Sequence, residues 1–507
     1  MPNKVVVGPI LGFRGLRGER WCTSALVVVQ GDATQPRLKF TAGGTEENEE
    51  KATLLKTMGD RSVWRLEWSV QQTNAEQRVG YSIDVGGNYH YVVPASANPL
   101  RIAYGSCFGF SSLKYLNKVA VKNAMWTVLH NKYVEKPYHL MMAGGDQIYA
   151  DLMWETVPAM KDWSGKSFPE RVAAPFTLEM EAVVAEFYFN LYCERWSQPE
   201  QAAVFSEIPQ IMMWDDHDIF DGWGSYPREQ QECPVFKGIY EIARENFRLF
   251  QLQARDQADL SDATLSDQPA FSYGHRIGDF GILALDMRSE RTQDQVMSRQ
   301  TWDRVYKWMD EEVGKATSCK HLLVMSSIPV VYVNSNMLEA ALGWIPGQQE
   351  LEDDFKDQWV SRTHMEERLR LIHRLLLFSK EAGCRVTIVS GDVHVAALGY
   401  IESKRDPEYD EANVVNQLIS SAMNHPPPSG LIIYLMEKVM GDKVEDVDRG
   451  ITTQMLKFPG SSQRFIGKRN WLSLTFDDKN RIWAEWYAEG ETSAYTKVIH
   501  PVGALTS

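Results

Sequence analysis

Four short apolar runs in this 507-residue sequence each end in side chains able to bind metal ions. Ile102–Tyr104 runs into Gly105-Ser106-Cys107, and Leu140–Met142 into Gly144-Gly145-Asp146-Gln147-Ile148-Tyr149. Gln210–Met213 runs into Trp214-Asp215-Asp216-His217-Asp218, and Val386–Val389 into Ser390-Gly391-Asp392-Val393-His394. Thiolate, phenolate, carboxylate and imidazole together are a donor set for hard and borderline cations. Each piece alone is weak, because an Asp after a strand more often caps a helix and a lone Cys more often packs as a small apolar residue. The run Asp215–Asp218 is stronger, since three carboxylates around one histidine repel one another unless cations or hydrogen bonds compensate. The same pattern at four strand ends points to a metal site.

Strands must carry these loops. From about Leu100 onward, apolar runs of strand length alternate with polar or Gly-rich loops and helical stretches, and Gly281–Leu285, Leu322–Met325 and Gln417–Ile419 add three more strands. Helices are expected over Lys114–Asn131, Leu178–Trp196 and Thr301–Lys315, and over a stretch opening at Thr363-x-x-Glu366 and closing at Gly383. This alternation reads as an α/β sheet with functional residues at strand ends. Residues 1–98 differ: Ala25–Val29, Arg37–Thr41, Val63–Val70, Tyr81–Val85 and Tyr89–Val93 are separated by polar turns, the pattern of a small β-sandwich. Trp471–Phe476 and Arg481–Tyr487 read as a hairpin. Residues 334–360 and 426–468 look irregular and are candidate lid segments.

Composition narrows the function. The chain is 44% hydrophobic and 24% charged, as a soluble globular protein is, and 53 Lys and Arg against 67 Asp and Glu leave a net charge of −14. General nucleic-acid binding needs a basic surface and is disfavoured. No apolar run approaches the ~18 residues of a membrane span. The six cysteines form no C-x-x-C pair, and reduced thiols are expected. The N-terminus shows no signal-peptide pattern, so a cytoplasmic location is expected, or an extracellular or periplasmic one for a trimmed chain. Other hydrolase templates fail: there is no G-x-S-x-G or H-E-x-x-H, and Met160 stands where a P-loop ending in Gly165-Lys166-Ser167 needs glycine.

Taken in order, Gly-Ser-Cys, Gly-Asp-x-Ile-Tyr, Trp-Asp-Asp-His-Asp and Ser-Gly-Asp-Val-His resemble the alkaline phosphatase D (PhoD-like) family of the metallophosphoesterases, from about Arg101 to the C-terminus. The resemblance implies a four-layer α/β/β/α sandwich over 99–507, preceded by the β-sandwich. It implies two metal ions held by Cys107, Asp146, Tyr149, Asp216, Asp392 and His394, with Asp146 bridging. Phenolate from Tyr149 and thiolate from Cys107 favour Fe³⁺, beside a divalent Ca²⁺, Zn²⁺ or Mn²⁺. His217 takes the place of the catalytic histidine, with Asp215 and Asp218 expected to orient it. Two further residues are candidates on their own positions. Arg288 follows a strand and is either a phosphate contact or a surface salt bridge; His425 is either part of the pocket or of the turn ahead of Pro426. The activity implied is hydrolysis of a small phosphorylated substrate by a hydroxide generated between two cations. Phosphodiester or phosphotriester hydrolysis at the same centre is the alternative, and a non-enzymatic metal-containing binding protein a more distant one. Oligomeric state is not indicated.

Overall fold

A strand with one face in the core alternates apolar and polar residues, whereas one covered on both faces is apolar throughout. The computed structural model shows both kinds; it describes residues 4–503 apart from 32–33, 43–44, 97–99, 261–262, 267–269, 317, 333–358, 360–361, 406–411 and 441–442. The N-terminal strands are β1 (Lys4–Arg17), β2 (Arg20–Gln30), β3 (Arg37–Ala42), β4 (Thr45–Lys51), β5 (Thr53–Met58), β6 (Arg61–Gln71), β7 (Gln77–Ile83) and β8 (Asn88–Val93). β3 buries Leu38 and Phe40, β7 buries Val79, Tyr81 and Ile83, and the residues between face outward. These two form a four-stranded sheet in the order β4-β3-β7-β8.

Three strands buried almost throughout follow: β9 (Arg101–Gly105), β10 (Leu140–Gly144) and β11 (Gln210–Met213). They run parallel, with Gly105 opposite Ala143 and Gly144 opposite Met213, so their loops leave from one edge. A second sheet holds β12 (Tyr273–Ile277), β13 (Phe280–Leu285), β14 (His321–Ser326), β15 (Arg385–Ser390), β16 (Ala396–Ser403), β17 (Val414–Ser420), β18 (Val444–Asp448), β19 (Ile451–Leu456) and β20 (Phe465–Ile466). Its order is β12-β13-β14-β15-β17-β16-β19-β18, with β20 against β16. The chain closes with β21 (Asn470–Phe476), β22 (Ile482–Ala488) and β23 (Tyr495–Ile499). These return to the first sheet, whose order is β23-β22-β21-β9-β10-β11-β1-β2-β6-β5.

Alternation along each strand then builds four layers. Leu140 and Met142 of β10 face the second sheet and share a core with Ile282, Leu323, Val389 and Leu418. Met141 and Ala143 face the other way, into a core with Trp126, Tyr188 and Phe247 from helical segments. The outer face of the second sheet packs Leu322, Val386 and Ile388 against Trp302, Leu371 and Leu375. This is the expected α/β/β/α sandwich.

Several local expectations change. β1 pairs with β11 through Gly12 and Gln210, so β1, β2, β6 and β5 continue the first sheet, while β3, β4, β7 and β8 form a sheet of their own. Among the described residues, the stretch 426–468 contains the helix Gly430–Met440 and the strands β18 to β20, two of which extend the second sheet on the antiparallel β16. Of 334–360, only Trp359 lies within the described residues. The expected helix Lys114–Asn131 is two, Leu113–Lys118 and Ala124–Glu135. Ser112, whose hydroxyl accepts from Tyr115 N–H, caps the first of them. The helix Arg362–Ala382 begins before Thr363, which is therefore no cap, but it does end at Gly383 with φ +59°. No helix among the described residues is long and apolar enough to cross a membrane.

Candidate metal centre

Six strand ends converge between the two sheets. β9 delivers Cys107, β10 Asp146 and Tyr149, β11 Asp215 to Asp218, β13 Arg288, β15 Asp392 and His394, and β17 the segment from Ser421 to His425. Four non-glycine residues here have left-handed backbone: Cys107 (φ 57°), Asp146 (56°), Asp392 (70°) and His394 (52°). Only Gln253 and Asn480 share that conformation elsewhere among the described residues, so the strain is concentrated where donors must be aimed. Glycine supports two close approaches. A Cβ on Gly145 (φ +108°) would lie 2.7 Å from Asp215 Cβ, and one on Gly109 would lie 2.4 Å from the Tyr149 ring.

The expected donors meet. Cys107 Sγ lies 3.4 Å from Asp146 Oδ2, and the Tyr149 hydroxyl 3.5 Å from the same oxygen. The Tyr149 hydroxyl is also 3.2 Å from His394 Nε2. One donor atom each from Asp146, Asp216 and His217 lie within 4.8 Å of one another, and so do one oxygen each from Asp215, Asp216 and Asp392. Asp146 thus joins the sulfur–phenol group to Asp216, and Asp216 joins Asp146 to Asp392. Asp215, expected only to orient His217, sits among the possible donors.

Burial dominates the electrostatics of these groups. Burial pushes the Cys107 thiol and the Tyr149 phenol well above their ordinary values, and neighbouring acids reinforce it. Asp146 is driven well above the carboxylate range by burial, against the pull of His217. Burial likewise lifts Asp218 to about 7. For Asp216 burial is outweighed by Arg288 and His217, which hold its carboxyl below the usual range. The imidazoles split. Burial disfavours charge on His217, but Asp151 and Asp216 overcome it and raise its pKa well above the usual value. Burial, with His425 and His217 nearby, drives His394 well below. The surroundings thus favour the charged form of His217 and disfavour that of His394.

The supporting contacts differ from expectation in three places. His217 Nδ1 is held at 2.6 Å by Asp151 Oδ2, whose other oxygen accepts from Asp221 N–H at 2.7 Å. Asp151, not Asp215 or Asp218, orients the catalytic candidate. Asp218 instead accepts from the Gln147 and Ile148 amides at 3.1 and 3.2 Å and from Asp215 N–H at 3.0 Å, tying the β10 loop to the β11 turn. Arg288 is not at the surface: it is 0% exposed, pairs with Asp215 and reaches Asp216 Oδ1 at 3.3 Å. A buried guanidinium between two carboxylates offsets their repulsion and fixes their planes. Sequence reasoning missed Asp151 and Ser421. The first lies two residues past Tyr149 in the same loop, a signal that was readable; the second is a serine in a run of small polar residues and gave none. Asp151→Asn should lower kcat about 10–100-fold, as loss of an orienting partner does. It should also move the alkaline limb of the kcat–pH profile to lower pH, because His217 loses the carboxylate that raises its pKa. An unmoved limb would show that Asp151 does not act through His217.

The donors fit metal ions. Asp146 Oδ1 is buried with no hydrogen-bond partner among the described residues, an orphan that a cation would satisfy. Carboxylates beside thiol, phenol and imidazole are a donor set for hard and borderline cations.

A sequence model described as PhoD related phosphatase matches residues 86–345 and 334–498. An uncharacterized protein of Saccharomyces cerevisiae is 25% identical over 569 aligned residues, covering 93% of this chain and 81% of its own. The solved structure of PhoD superposes with a TM-score of 0.58 at 13% identity, over 98% of this chain and 90% of that one. A purple acid phosphatase from yellow lupin (Lupinus luteus) seeds gives 0.52 at 11% identity, over 100% of this chain and 76% of its own.

Proposed function

The chain belongs to the PhoD-related phosphatase family, and from that premise we propose that it hydrolyses esters of phosphate at a dinuclear metal centre, with His217 as the acid that protonates the departing alcohol. The observation that carries this reading is the Asp151–His217 pair, 2.6 Å apart and facing the donors Asp146 and Asp216. Cys107, Tyr149, His394 and Asp146 would hold a trivalent ion such as Fe³⁺, and Asp146, Asp216 and Asp392 a divalent Ca²⁺, Zn²⁺ or Mn²⁺. Cations there supply charge to the phosphoryl oxygens and lower the pKa of coordinated water to about 7.

The protein's own residues do the rest. Arg288 holds Asp215 and Asp216 in place, the buried walls exclude bulk water, and His217 keeps its proton on the nitrogen not used by Asp151. An acid so placed is worth roughly 10²–10⁴ in rate. The acidity of the site is no bar to an anionic substrate, because bound cations invert the local field. A small phosphorylated molecule is the substrate class, and net charge still disfavours long nucleic acids.

The test combines elemental analysis with a substrate pair. Two metals per chain including iron, a visible phenolate-to-iron band, and faster turnover of p-nitrophenyl phosphate than of its bis ester are the expected results. Preference for the bis ester would make the enzyme a diesterase. Protein purified without iron and with at most one metal per chain would sink the dinuclear reading.

A further inference from the structure

We infer that the segment Ser421–His425 is the clamp that sets how tightly the centre holds its metal, with His425 as its positioning residue. The inference rests on the proposed donor roles of Cys107, Tyr149 and His394, and it assigns a task to a segment that supplies no donor itself.

The segment touches the supports of all three. Met423 N–H donates to Ser106 O at 3.0 Å and Asn424 N–H to Cys107 O at 3.2 Å, so the chain after β17 runs along the Cys107 loop. The Ser421 hydroxyl accepts from His394 N–H at 3.2 Å and lies 3.0 Å from Cys107 Sγ. A thiolate at Cys107 can only accept, so in the metal-loaded protein the Ser421 hydroxyl would direct its proton to sulfur while still accepting from the His394 amide. The Asn424 side chain, 0% exposed, anchors the segment: it accepts from Trp126 Nε1 at 2.9 Å and donates to Lys122 O and Asn123 Oδ1, both at 3.0 Å.

His425 completes the clamp. Its ring stacks on His394 with centroids 4.0 Å apart at 23°, and lies nearly parallel to Tyr149 at 5.6 Å and 14°. Its Nδ1 faces Pro426 O at 2.9 Å and must therefore carry the proton. Its Nε2 then accepts from Ser111 Oγ at 3.0 Å. Both ring nitrogens are engaged, so His425 neither ligates nor donates to substrate. What it offers is a flat neutral plate fixing the planes of His394 and Tyr149, whose Nε2 and hydroxyl meet at 3.2 Å. Tyr115 backs the plate at 4.9 Å. Residues that orient donors in this way typically govern metal affinity.

The experiment follows metal release from the loaded protein under EDTA by elemental analysis, with the phenolate-to-iron band as a second readout. His425→Ala and Ser421→Ala should each release metal about 10–100-fold faster than wild type, with the band shifted. His425→Phe keeps the plate but not the hydrogen bonds and should release metal more slowly than His425→Ala. Circular dichroism and melting of the three variants identify any that have not folded, and Ser421→Ala, the smallest change, keeps the test decisive if a ring variant fails. Wild-type release rates in folded variants would overturn the clamp, as would a His425→Ala protein that holds its metal but shows a raised KM, which would place His425 against substrate. A wild-type chain that binds metal without hydrolysing esters overturns the proposed reaction and leaves the clamp standing. One that binds no metal overturns both.

Discussion

His217→Ala should turn over phosphate esters roughly 10²–10⁴ times more slowly than wild type while keeping its metal. The imidazole is 5% exposed, its Nδ1 is fixed by Asp151, and its face lies on Tyr149 with centroids 4.2 Å apart. Those contacts hold a single orientation, and the Asp151 and Asp216 carboxylates favour the charged ring that a leaving group would draw a proton from. The metal stays because Cys107, Asp146, Tyr149, Asp216, Asp392 and His394 are untouched. The loss should be larger for an alkyl phosphate than for p-nitrophenyl phosphate, since nitrophenolate departs without help from an acid. Steady-state kinetics on the two esters, with metal content measured in parallel, decides the matter. An equal loss on both esters would mean that His217 stabilises the attacked phosphoryl group instead, and loss of metal would make it a ligand.

Asp146→Asn should abolish activity more thoroughly than any orienting change, beyond the 10–100-fold typical of those. Asp146 is the common neighbour of the Cys107–Tyr149 group and of Asp216, so its loss weakens both halves of the donor set. The same substitution should make the metal-free protein more stable at pH 8. In the folded, metal-free chain, burial raises the Asp146 pKa well above its unfolded value of 3.8. Between those two values the unfolded chain has lost the proton and the folded one still holds it, so stability falls as pH rises. Asparagine cannot ionise and removes that slope. Stripped Asp146→Asn should therefore melt higher than stripped wild type at pH 8, with the gap closing towards pH 4. A variant that melts lower at pH 8 would show that Asp146 is ionised and compensated without metal.

Much of the centre was readable because strand ends are punctuated in sequence. Gln210–Met213 is a strand with the bounds read from its four residues, and Leu178–Trp196 a helix with the bounds expected. The candidate donors Cys107, Asp146, Tyr149, Asp216, Asp392 and His394 follow their strands closely; parallel pairing aligns the ends of β9, β10 and β11, and the packing of the second sheet on the first brings the end of β15 beside them. What sequence could not order was the layer of contacts behind them. Whether Asp151, Asp215 or Asp218 reaches His217 depends on turn geometry over a few ångströms, and local spacing favoured the wrong pair. Arg288 looked like a surface residue because charge alone does not reveal that β13 aims it across the inter-sheet space at Asp215. Strand β18 was hidden by polarity: it reads Val-Glu-Asp-Val-Asp and is half exposed, so it lacks the apolar run that marks a covered strand.

The single register pair between Gly12 and Gln210 also bears on how this chain could be divided. β11 is four residues long, buried along its length, and paired with β10 on its other side. Without β1 it would present a bare apolar edge, the kind of surface on which strands from separate molecules add to one another. Strand β1 is thus a seal on the edge nearest Asp215 to Asp218, with β2, β6 and β5 extending the same sheet beyond it. A chain of this design gains a covered flank for its cluster of Asp215 to Asp218 and gives up the freedom to lose or exchange β1.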